Sequence, residues 1–261
     1  MPINDPRRVI PLEGVRNFRD LGGYPALDGR VTRWGEVFRA DAVSLLTQEG
    51  WRSLGELNIK TVYDLRRQGE RDRSPTVEHD LALDVVHLPI GSEVAEMSLV
   101  DWFTQRGPEE NWDDSYIADT YKEILTEWND VFARLMNGLA NPSQRPAVFH
   151  CTAGKDRTGL AAALLLDVLG VDRDVVLDDY ELTNRTRSEH RIAELTPELE
   201  AAGVDVEKVR PYLSAPRAAL ESTLQWLDET HDGPVGYLLD AGVSESTLES
   251  LVGDLLTDDA A

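Results

Sequence analysis

The chain has 261 residues, of which 41% are apolar and 28% are charged, and its formal net charge is −22. This length and apolar content are sufficient for a substantial core, and they exclude a collagen, a disulfide-stapled scaffold and a largely disordered chain. The negative charge argues against non-specific binding to nucleic acid or to an anionic membrane, because both would repel the protein at long range. We therefore expect one globular domain over residues 1–261 that captures any anionic ligand locally.

The sequence predicts neither a membrane span nor an export signal. The longest apolar run, 160–166, is far shorter than the roughly 20 residues that cross a bilayer, and the first residues lack the apolar stretch of a signal peptide. The single cysteine, Cys151, cannot form an internal disulfide, which is consistent with a reducing compartment. We expect a cytoplasmic protein without stable membrane insertion, and export without a recognisable signal stays open.

The first part of the chain predicts strands and loops around one helix. After an irregular start, the expected elements are a strand at 36–40, a helix at 47–57 capped by Thr47, and strands at 61–65 and 84–90. The charged stretch 66–75 contains Gly69 and Pro75 and predicts a loop. Residues 91–112 lose periodicity and predict a mobile loop beside a site.

The second part predicts mainly helices. Apolar residues recur at helical spacing from Asp113 to Met136, which predicts one long amphipathic helix ended by Asn141 and Pro142. A buried strand at 146–149 precedes a helix from Arg157 to Leu169. The sequence then predicts a helix at 172–182 and further helices separated by breakers at Pro197, Gly203, Pro211, Pro216, Gly233 and Gly242.

This order of elements predicts an α/β fold, with a central sheet flanked by helices and additional C-terminal helices. No repeat or linker divides the chain. The helical segment within 185–230 is a candidate lid over a site.

The sequence HCTAGKDRTG at 150–159 predicts the chemistry. It places Cys151 six positions before Arg157, after an apolar strand and before a helix. A turn of small residues ahead of a helix can direct successive backbone N–H groups at one centre, where phosphate oxygens would bind. The same field favours the thiolate form of a cysteine at the start of the turn. The pattern therefore predicts phosphoryl transfer to sulfur.

The residues of this loop have distinct expected roles. Cys151 attacks phosphorus in line and forms a cysteinyl-phosphate, while the planar fork of Arg157 binds two phosphate oxygens and stabilises the transition state. Thr158 donates a hydrogen bond to the thiolate, and His150 orders the loop from behind. The expected phosphate-binding residues are Thr152, Ala153, Gly154, Lys155, Asp156 and Arg157.

A carboxyl group is needed to protonate the leaving group and later to activate water. Asp156 is the nearest in sequence and is the favoured candidate, although it can equally brace the loop by accepting backbone hydrogen bonds. Glu93 and Asp101 lie in the irregular segment and are the alternatives.

The residue spacing excludes two other types of site, a nucleotide-binding loop and a histidine metal site. A nucleotide-binding P-loop requires a glycine at position 149 and Ser or Thr after the lysine, where this chain has Phe149 and Asp156. The histidines outside the loop show no metal-ligand spacing: His79, His87, His190 and His231. We expect no metal and no cofactor.

With these residues, the sequence resembles the cysteine-dependent protein tyrosine phosphatase superfamily and, within it, the bacterial tyrosine-protein phosphatase family. The loop at 150–159 matches that family throughout. Weaker matches follow in the expected order over nearly the whole chain, at 17–23, 64–66, 172–184 and 237–242.

The resemblance implies a tyrosine phosphatase-like fold, with Cys151 as nucleophile, Arg157 as phosphate clamp, and Asp64 and Arg66 in supporting positions. It also implies that the partner is a phosphorylated protein, dephosphorylated at tyrosine and additionally at serine or threonine.

Two alternatives accompany this reading. A glycine-lysine pair at this loop position also occurs in lipid-directed relatives, so Lys155, a second positive charge at the rim, makes phosphoinositide hydrolysis the first alternative. The charge of −22 weighs against it, because it disfavours approach to an anionic membrane. A phosphate-binding module with little catalysis is the second alternative, and the intact Cys151, Arg157 and Thr158 argue against it.

Overall fold

The computed structural model describes residues 2–76, 80–92, 97–107, 110 and 112–258. The strands in these residues are β1 (Arg19–Asp20), β2 (Val31–Thr32), β3 (Val37–Ala40), β4 (Thr61–Asp64), β5 (Asp84–His87), β6 (Ala147–His150) and β7 (Leu256–Thr257). Across the described ranges, the main sheet has the order β1-β3-β6-β4-β5, and β2 pairs with β7 separately. All neighbours in the main sheet are parallel except β1 and β3.

The α-helices of the described residues carry the labels α1 to α12 in chain order. They are α1 (Gln48–Glu56), α2 (Gln68–Arg73), α3 (Leu99–Arg106), α4 (Asp114–Glu127), α5 (Asn129–Ala140), α6 (Asp156–Val168), α7 (Arg173–Thr183), α8 (Glu189–Ala201), α9 (Val206–Leu213), α10 (Arg217–His231), α11 (Gly233–Asp240) and α12 (Glu245–Leu255). Short 3₁₀ turns lie at 2–4, 43–45 and 142–144, and a π-helical turn, Asn184–Ser188, joins α7 to α8. No helix in the described residues has the length and apolar character to span a bilayer.

Helices cover both faces of the sheet because its strands are apolar on both faces. Along β6, Phe149 packs into the larger core with α4 to α7 and α10 to α12, whereas Val148 packs into a smaller core with α1. The same alternation separates Tyr63 from Val62 in β4, as expected for strand side chains that point to opposite faces.

The strand β6 lies at the centre of the sheet and delivers the loop that follows it. Its last residue, His150, is level with Ala40 of β3 and Asp64 of β4. The carboxyl ends of three parallel strands therefore meet at one edge of the sheet. In open α/β sheets this edge is where ligands bind.

The α/β fold predicted from the sequence is confirmed. The strands β3 to β6 and the helices α1 and α6 lie within a few residues of their predicted positions. The prediction of one domain is not tested by these contacts and stays a prediction.

One predicted long helix at 113–136 is wrong, because the chain leaves helical geometry at Trp128, where φ is −121° and ψ is 32°. The apolar periodicity continues through this break. The two parts pack on different neighbours, α4 mainly on α10 and α5 mainly on α12.

Two segments predicted to be irregular contain helices. α2 lies within 66–75, where the side chain of Glu70 accepts a hydrogen bond from the backbone N–H of Arg67 at 2.9 Å and starts the helix. α3 lies within 91–112, where the Ser98 hydroxyl accepts from the N–H of Asp101 at 3.0 Å. The mobility expected of that segment stays a prediction.

Two predicted helix breakers are also wrong. Pro197 lies inside α8 and Pro211 inside α9. Near Pro197, the hydroxyl of Thr196 donates to the carbonyl of Ile192 at 2.8 Å. Tertiary packing supports both helices, since α8 and α9 bury apolar residues against Phe103 and Trp112.

Candidate active site

The loop that connects β6 to α6 begins at Cys151, which is 2% exposed. The carbonyl of Thr152 accepts a hydrogen bond from the N–H of Ala42 at 3.2 Å, which ties the loop to the end of β3. Gly154 has a φ of +64°, and a Cβ atom there would lie 2.4 Å from the carbonyl oxygen of Ala40. This position therefore requires glycine for both conformation and space.

Buried side chains behind the loop orient its peptide units. The amide nitrogen Nδ2 of Asn17 donates to the carbonyls of Ala153 at 3.2 Å and Gly154 at 3.0 Å, and Nη2 of Arg39 donates to the Gly154 carbonyl at 2.8 Å. In a trans peptide unit the C=O and N–H point in opposite directions. The N–H groups of Gly154 and Lys155 are therefore turned away from Asn17.

Asp179 of α7 anchors this arrangement. Its carboxylate accepts from Nε of Arg19 at 2.9 Å, Nη1 of Arg39 at 2.6 Å and the hydroxyl of Tyr24 at 2.8 Å. Burial alone would raise the pKa of Asp179, but the charges of Arg19 and Arg39 hold it well below its usual range. The aspartate therefore stays ionised and holds Arg39 against the loop.

The π-helical turn supplies one further contact to the loop support. The hydroxyl of Thr186 donates to Oδ1 of Asn17 at 2.7 Å, and Nη1 of Arg19 donates to the same oxygen. These two bonds fix which way the Asn17 amide faces, so its Nδ2 is directed at the loop. A π turn inside a helix is a common feature of functional sites.

Glu70 of α2 holds the side chain of Arg157 from one end. Nη1 of Arg157 donates to Oε2 of Glu70 at 2.6 Å, and Nη2 donates to Oε1 at 2.8 Å. Burial alone would raise the pKa of Glu70, but the hydrogen bonds and charge of Arg157 hold it well below its usual range. The hydroxyl of Thr152 also donates to Glu70, so one carboxylate braces two loop residues.

A second edge of the Arg157 guanidinium, formed by Nε and Nη2, is not used by Glu70. Nη1 also lies 3.3 Å from the carbonyls of Leu65 and Ile90, so its hydrogens are directed at protein acceptors. An arginine side chain has five N–H donors. Within the described part of the chain, the Nε–H and the second Nη2–H have no protein acceptor, and together they form a two-pronged donor.

We expect Glu70→Gln to lower kcat/KM by about 10²-fold, because an amide NH₂ would face one of the Arg157 donors and displace the fork. Steady-state kinetics and the inhibition constant for inorganic phosphate measure this, and both are expected to weaken. Glu56→Gln on α1 is the matched control, with unchanged kinetics. An unaffected phosphate constant in Glu70→Gln would contradict the bracing role.

Asp156 is the first residue of α6, and its side chain lies at the edge of the site. The hydroxyl of Tyr121 donates to Oδ1 of Asp156 at 2.6 Å, and the Tyr121 and Tyr180 hydroxyls are 2.6 Å apart. Nζ of Lys155 lies 3.3 Å from the same Oδ1. These contacts fix the carboxylate beside Arg157 rather than against the backbone of the loop.

Lys155 lines the cavity beside Asp156, and its side chain extends toward the end of α9. Its ammonium donates to the carbonyl of Ser214 at 2.8 Å and to the carbonyl of Tyr212. The residue is buried, so the positive charge expected at the rim is instead bound by the free carbonyls at a helix C-terminus.

His150, Asp64 and Arg66, expected as supporting residues, lie together beneath the loop. Arg66 donates from Nη2 to Oδ2 of Asp64 at 2.8 Å and from Nη1 to the carbonyl of Ser74 at 2.9 Å. Burial alone would raise the pKa of Asp64, but Arg66 and His150 lower it. Because Ser74 ends α2, Arg66 fastens the helix that carries Glu70.

Burial lowers the pKa of His150 from 6.5 to about 4. Below pH 6.5 the unfolded chain binds a proton that the folded protein does not, so this group's contribution to stability is lost as pH falls toward 4. We expect the free energy of unfolding to fall by about 3 kcal/mol over that range from His150 alone.

NMR titration of the histidine ring protons measures this directly. The His150 resonance should stay constant from pH 7 to 5, whereas histidines of the urea-unfolded chain should titrate near their ordinary value. A native His150 resonance that moves near pH 6.5 would contradict the expectation.

The remaining candidates have different outcomes. The Thr158 hydroxyl is buried without a hydrogen-bond partner among the described residues, close to Cys151 in sequence. Asp101 lies on α3, where it accepts from the Ser98 hydroxyl at 2.8 Å, and it does not line the cavity at Arg157. Glu93 lies outside the described residues.

A cavity of about 350 Å³ opens at Asp156 and Arg157. Its walls come from α3, α4, α9 and the segment after β5, and they include Trp102, Ile117 and Tyr212. No three His, Cys, Asp or Glu side chains in the described ranges lie close enough to hold a metal ion. The expected absence of a metal from the reaction stays a prediction.

The model of the tyrosine phosphatase family matches residues 10–257. The chain belongs to this family. This phosphatase is 32% identical over 283 residues to the triple specificity protein phosphatase PtpB of Mycobacterium tuberculosis, covering 95% of this chain and 99% of that protein. It is 28% identical over 219 residues to a tyrosine-protein phosphatase of Nostoc commune, covering 79% of this chain and 69% of that protein. The crystal structure of P. aeruginosa TpbA aligns with a TM-score of 0.33 and 18% identity, covering 73% of this chain and 95% of the TpbA chain.

The family resemblance drawn from the loop at 150–159 is thereby confirmed, and so is the assignment of this phosphatase as an enzyme. Sequence reasoning missed Glu70, Arg39 and Asp179 as site residues. Arg39 carried one usable signal, an arginine within the predicted apolar strand at 36–40, because a charged side chain that is buried in a sheet needs a buried partner.

Proposed function

We propose that the protein hydrolyses phosphotyrosine in proteins through a cysteinyl-phosphate on Cys151. The observation that carries this proposal is the Arg157 fork at the cavity: Glu70 binds Nη1 and Nη2, and the Nε–H and second Nη2–H are left without an acceptor among the described residues. Such a fork matches two oxygens of a phosphoryl group. Membership of the tyrosine phosphatase family supports the same substrate.

The proposed reaction has two steps at phosphorus. The Cys151 thiolate attacks, the S–P bond forms and the P–O bond to tyrosine breaks, while the loop N–H groups and Arg157 bind the three remaining oxygens. Water then attacks phosphorus, the S–P bond breaks, and inorganic phosphate leaves. The Thr158 hydroxyl is buried and has no hydrogen-bond partner in the described residues, so it is free to donate to the thiolate in the reacting enzyme.

Asp156 is the proposed proton donor of the first step and proton acceptor of the second. Its carboxyl group lines the cavity beside Arg157 and is held there by Tyr121, so it can reach the leaving oxygen. One group serves both steps because it returns to its first protonation state after each turnover.

We expect Asp156→Asn to lower kcat about 10²-fold on phosphotyrosine and to remove the basic limb of the pH–rate profile. An asparagine keeps the bond from Tyr121 but cannot give up a proton, so only proton transfer is lost. A smaller effect on p-nitrophenyl phosphate, whose leaving group needs less protonation, is the internal control. Retention of the basic limb would assign the acid to another residue such as Glu93.

The alternative substrate, a phosphoinositide, receives less support. It rested on Lys155 as a second cation for phosphate, and that ammonium is bound to the carbonyls of Tyr212 and Ser214. The test compares kcat/KM for a phosphotyrosine peptide, for phosphoserine and phosphothreonine peptides of the same sequence, and for a soluble phosphoinositide. The phosphotyrosine peptide should be the best substrate, and faster turnover of the lipid would overturn the proposal. The cytoplasmic location expected from the sequence stays a prediction.

A further inference from the structure

The cavity at Arg157 continues as a groove along one face of α4. The floor of this groove is a stripe of four residues, three on that face of α4 and one directly after the helix: Ile117, Tyr121, Ile124 and Trp128. Their spacing of four, three and four positions places them on one side of the helix. From the first to the last, the helix rises by about 16 Å, which is the length of about five residues of extended peptide.

This stripe provides apolar surface beyond what the phosphate loop itself needs. Ile117 and Tyr121 are buried at the loop end, whereas Ile124 and Trp128 are only partly buried at the far end. The lining also includes Arg67 and the segment that contains Gly91. An apolar concave surface continuous with a polar reacting centre is typical of a binding site rather than of an ordinary surface.

We infer that this groove binds the polypeptide beside the phosphorylated tyrosine and selects substrates with a bulky apolar residue within about four positions of it. The inference rests on the proposed function. Continuity with the Arg157 site places the occupant on the same molecule as the phosphate, and the groove is longer than one side chain. The net charge of −22 disfavours approach to an anionic lipid surface as the occupant.

A peptide series tests the inference on the full-length protein. Each peptide has one central phosphotyrosine flanked by serine and glycine, and a single leucine occupies each position from four before to four after it in turn. Burial of one apolar side chain in a pocket changes kcat/KM between two substrates by about tenfold or more. Leucine at one or two positions should therefore raise kcat/KM by about tenfold over the serine and glycine peptide. Release of inorganic phosphate is the readout.

Two variants of the groove floor, Ile124→Ser and Trp128→Ala, should reduce this leucine preference to within about twofold. Ile124→Val keeps an apolar floor and should retain it. Glu127→Ala, on the exposed face of α4, is the matched control and should also retain it. Thermal unfolding identifies any variant that is not folded. The leucine scan on the wild-type protein tests the inference independently of the variants.

Equal rates for all leucine positions, or an unchanged preference in folded Ile124→Ser, would overturn the inference. So would a rate on a phosphoinositide in anionic vesicles that exceeds the rate on the best peptide and falls in Ile124→Ser. Failure of the proposed function looks different, because no phosphotyrosine peptide would then release phosphate.

Discussion

Replacing Cys151 with serine is expected to lower kcat by at least about 10⁴-fold on any phosphomonoester, since a serine hydroxyl in this loop has no base to activate it. The substitution changes one atom at a buried position, so the loop and the Arg157 fork should keep their geometry. Binding of phosphate should therefore survive. Steady-state kinetics and calorimetric titration with inorganic phosphate measure the two effects separately.

The control for this experiment is Thr257→Ser at the far end of the chain, which should leave both measurements unchanged. A Cys151→Ser protein that retains more than about a tenth of the wild-type kcat would show that another group attacks phosphorus. A burst of phosphorylated protein in the wild type, absent from Cys151→Ser, would confirm the covalent intermediate.

Arg157→Lys is expected to lower kcat/KM by about 10³-fold, the scale on which an arginine stabilises a phosphoryl transition state. Lysine keeps the charge but has no second prong, so it cannot engage Glu70 at two oxygens and a phosphoryl group at two more. The loss should appear mainly in kcat, because the fork matches the charge spread over the transition state better than the ground state.

Arg173→Lys, at the partly exposed start of α7, is the matched control and should have wild-type kinetics. The Arg157→Lys protein should also be less stable, because Glu70 then keeps a partly buried charge with a poorer partner. A decrease below tenfold in kcat/KM would show that the backbone N–H groups alone account for phosphate recognition.

The part of the site that could be predicted from the sequence is the part that is continuous along the chain. Cys151, Arg157 and the glycine between them lie within seven residues, and their strand-loop-helix context follows from local pattern alone. The supports of the loop, Arg39 and Asp179, lie on different elements far apart in sequence. A single sequence contains no signal that pairs them, because their contact exists only after the sheet and α7 have packed.

The errors in the predicted helices also have physical causes. Gly69 and Pro75 predicted a loop at 66–75, where the Glu70 side chain starts the short helix α2, and Pro197 predicted a break at a position that lies inside α8. At Pro197 a local preference of about 3 kcal/mol against a helix was overcome by packing that the local pattern does not contain. The break at Trp128 was missed for the converse reason, since the periodicity is continuous although the neighbours of the two helices differ.

The hydrogen bonds behind the loop make enzymatic activity a sensitive reporter of the integrity of the whole fold. Asn17, Arg39, Asp179 and Thr186 come from the N-terminal segment, the sheet, a helix and a π turn, and all of them act on the same two peptide units, directly or through one another. A fragment that contains residues 150–159 but lacks any one of these segments should not hold the loop in its active conformation. Catalysis should therefore appear late in refolding, after the first and last thirds of the chain have met.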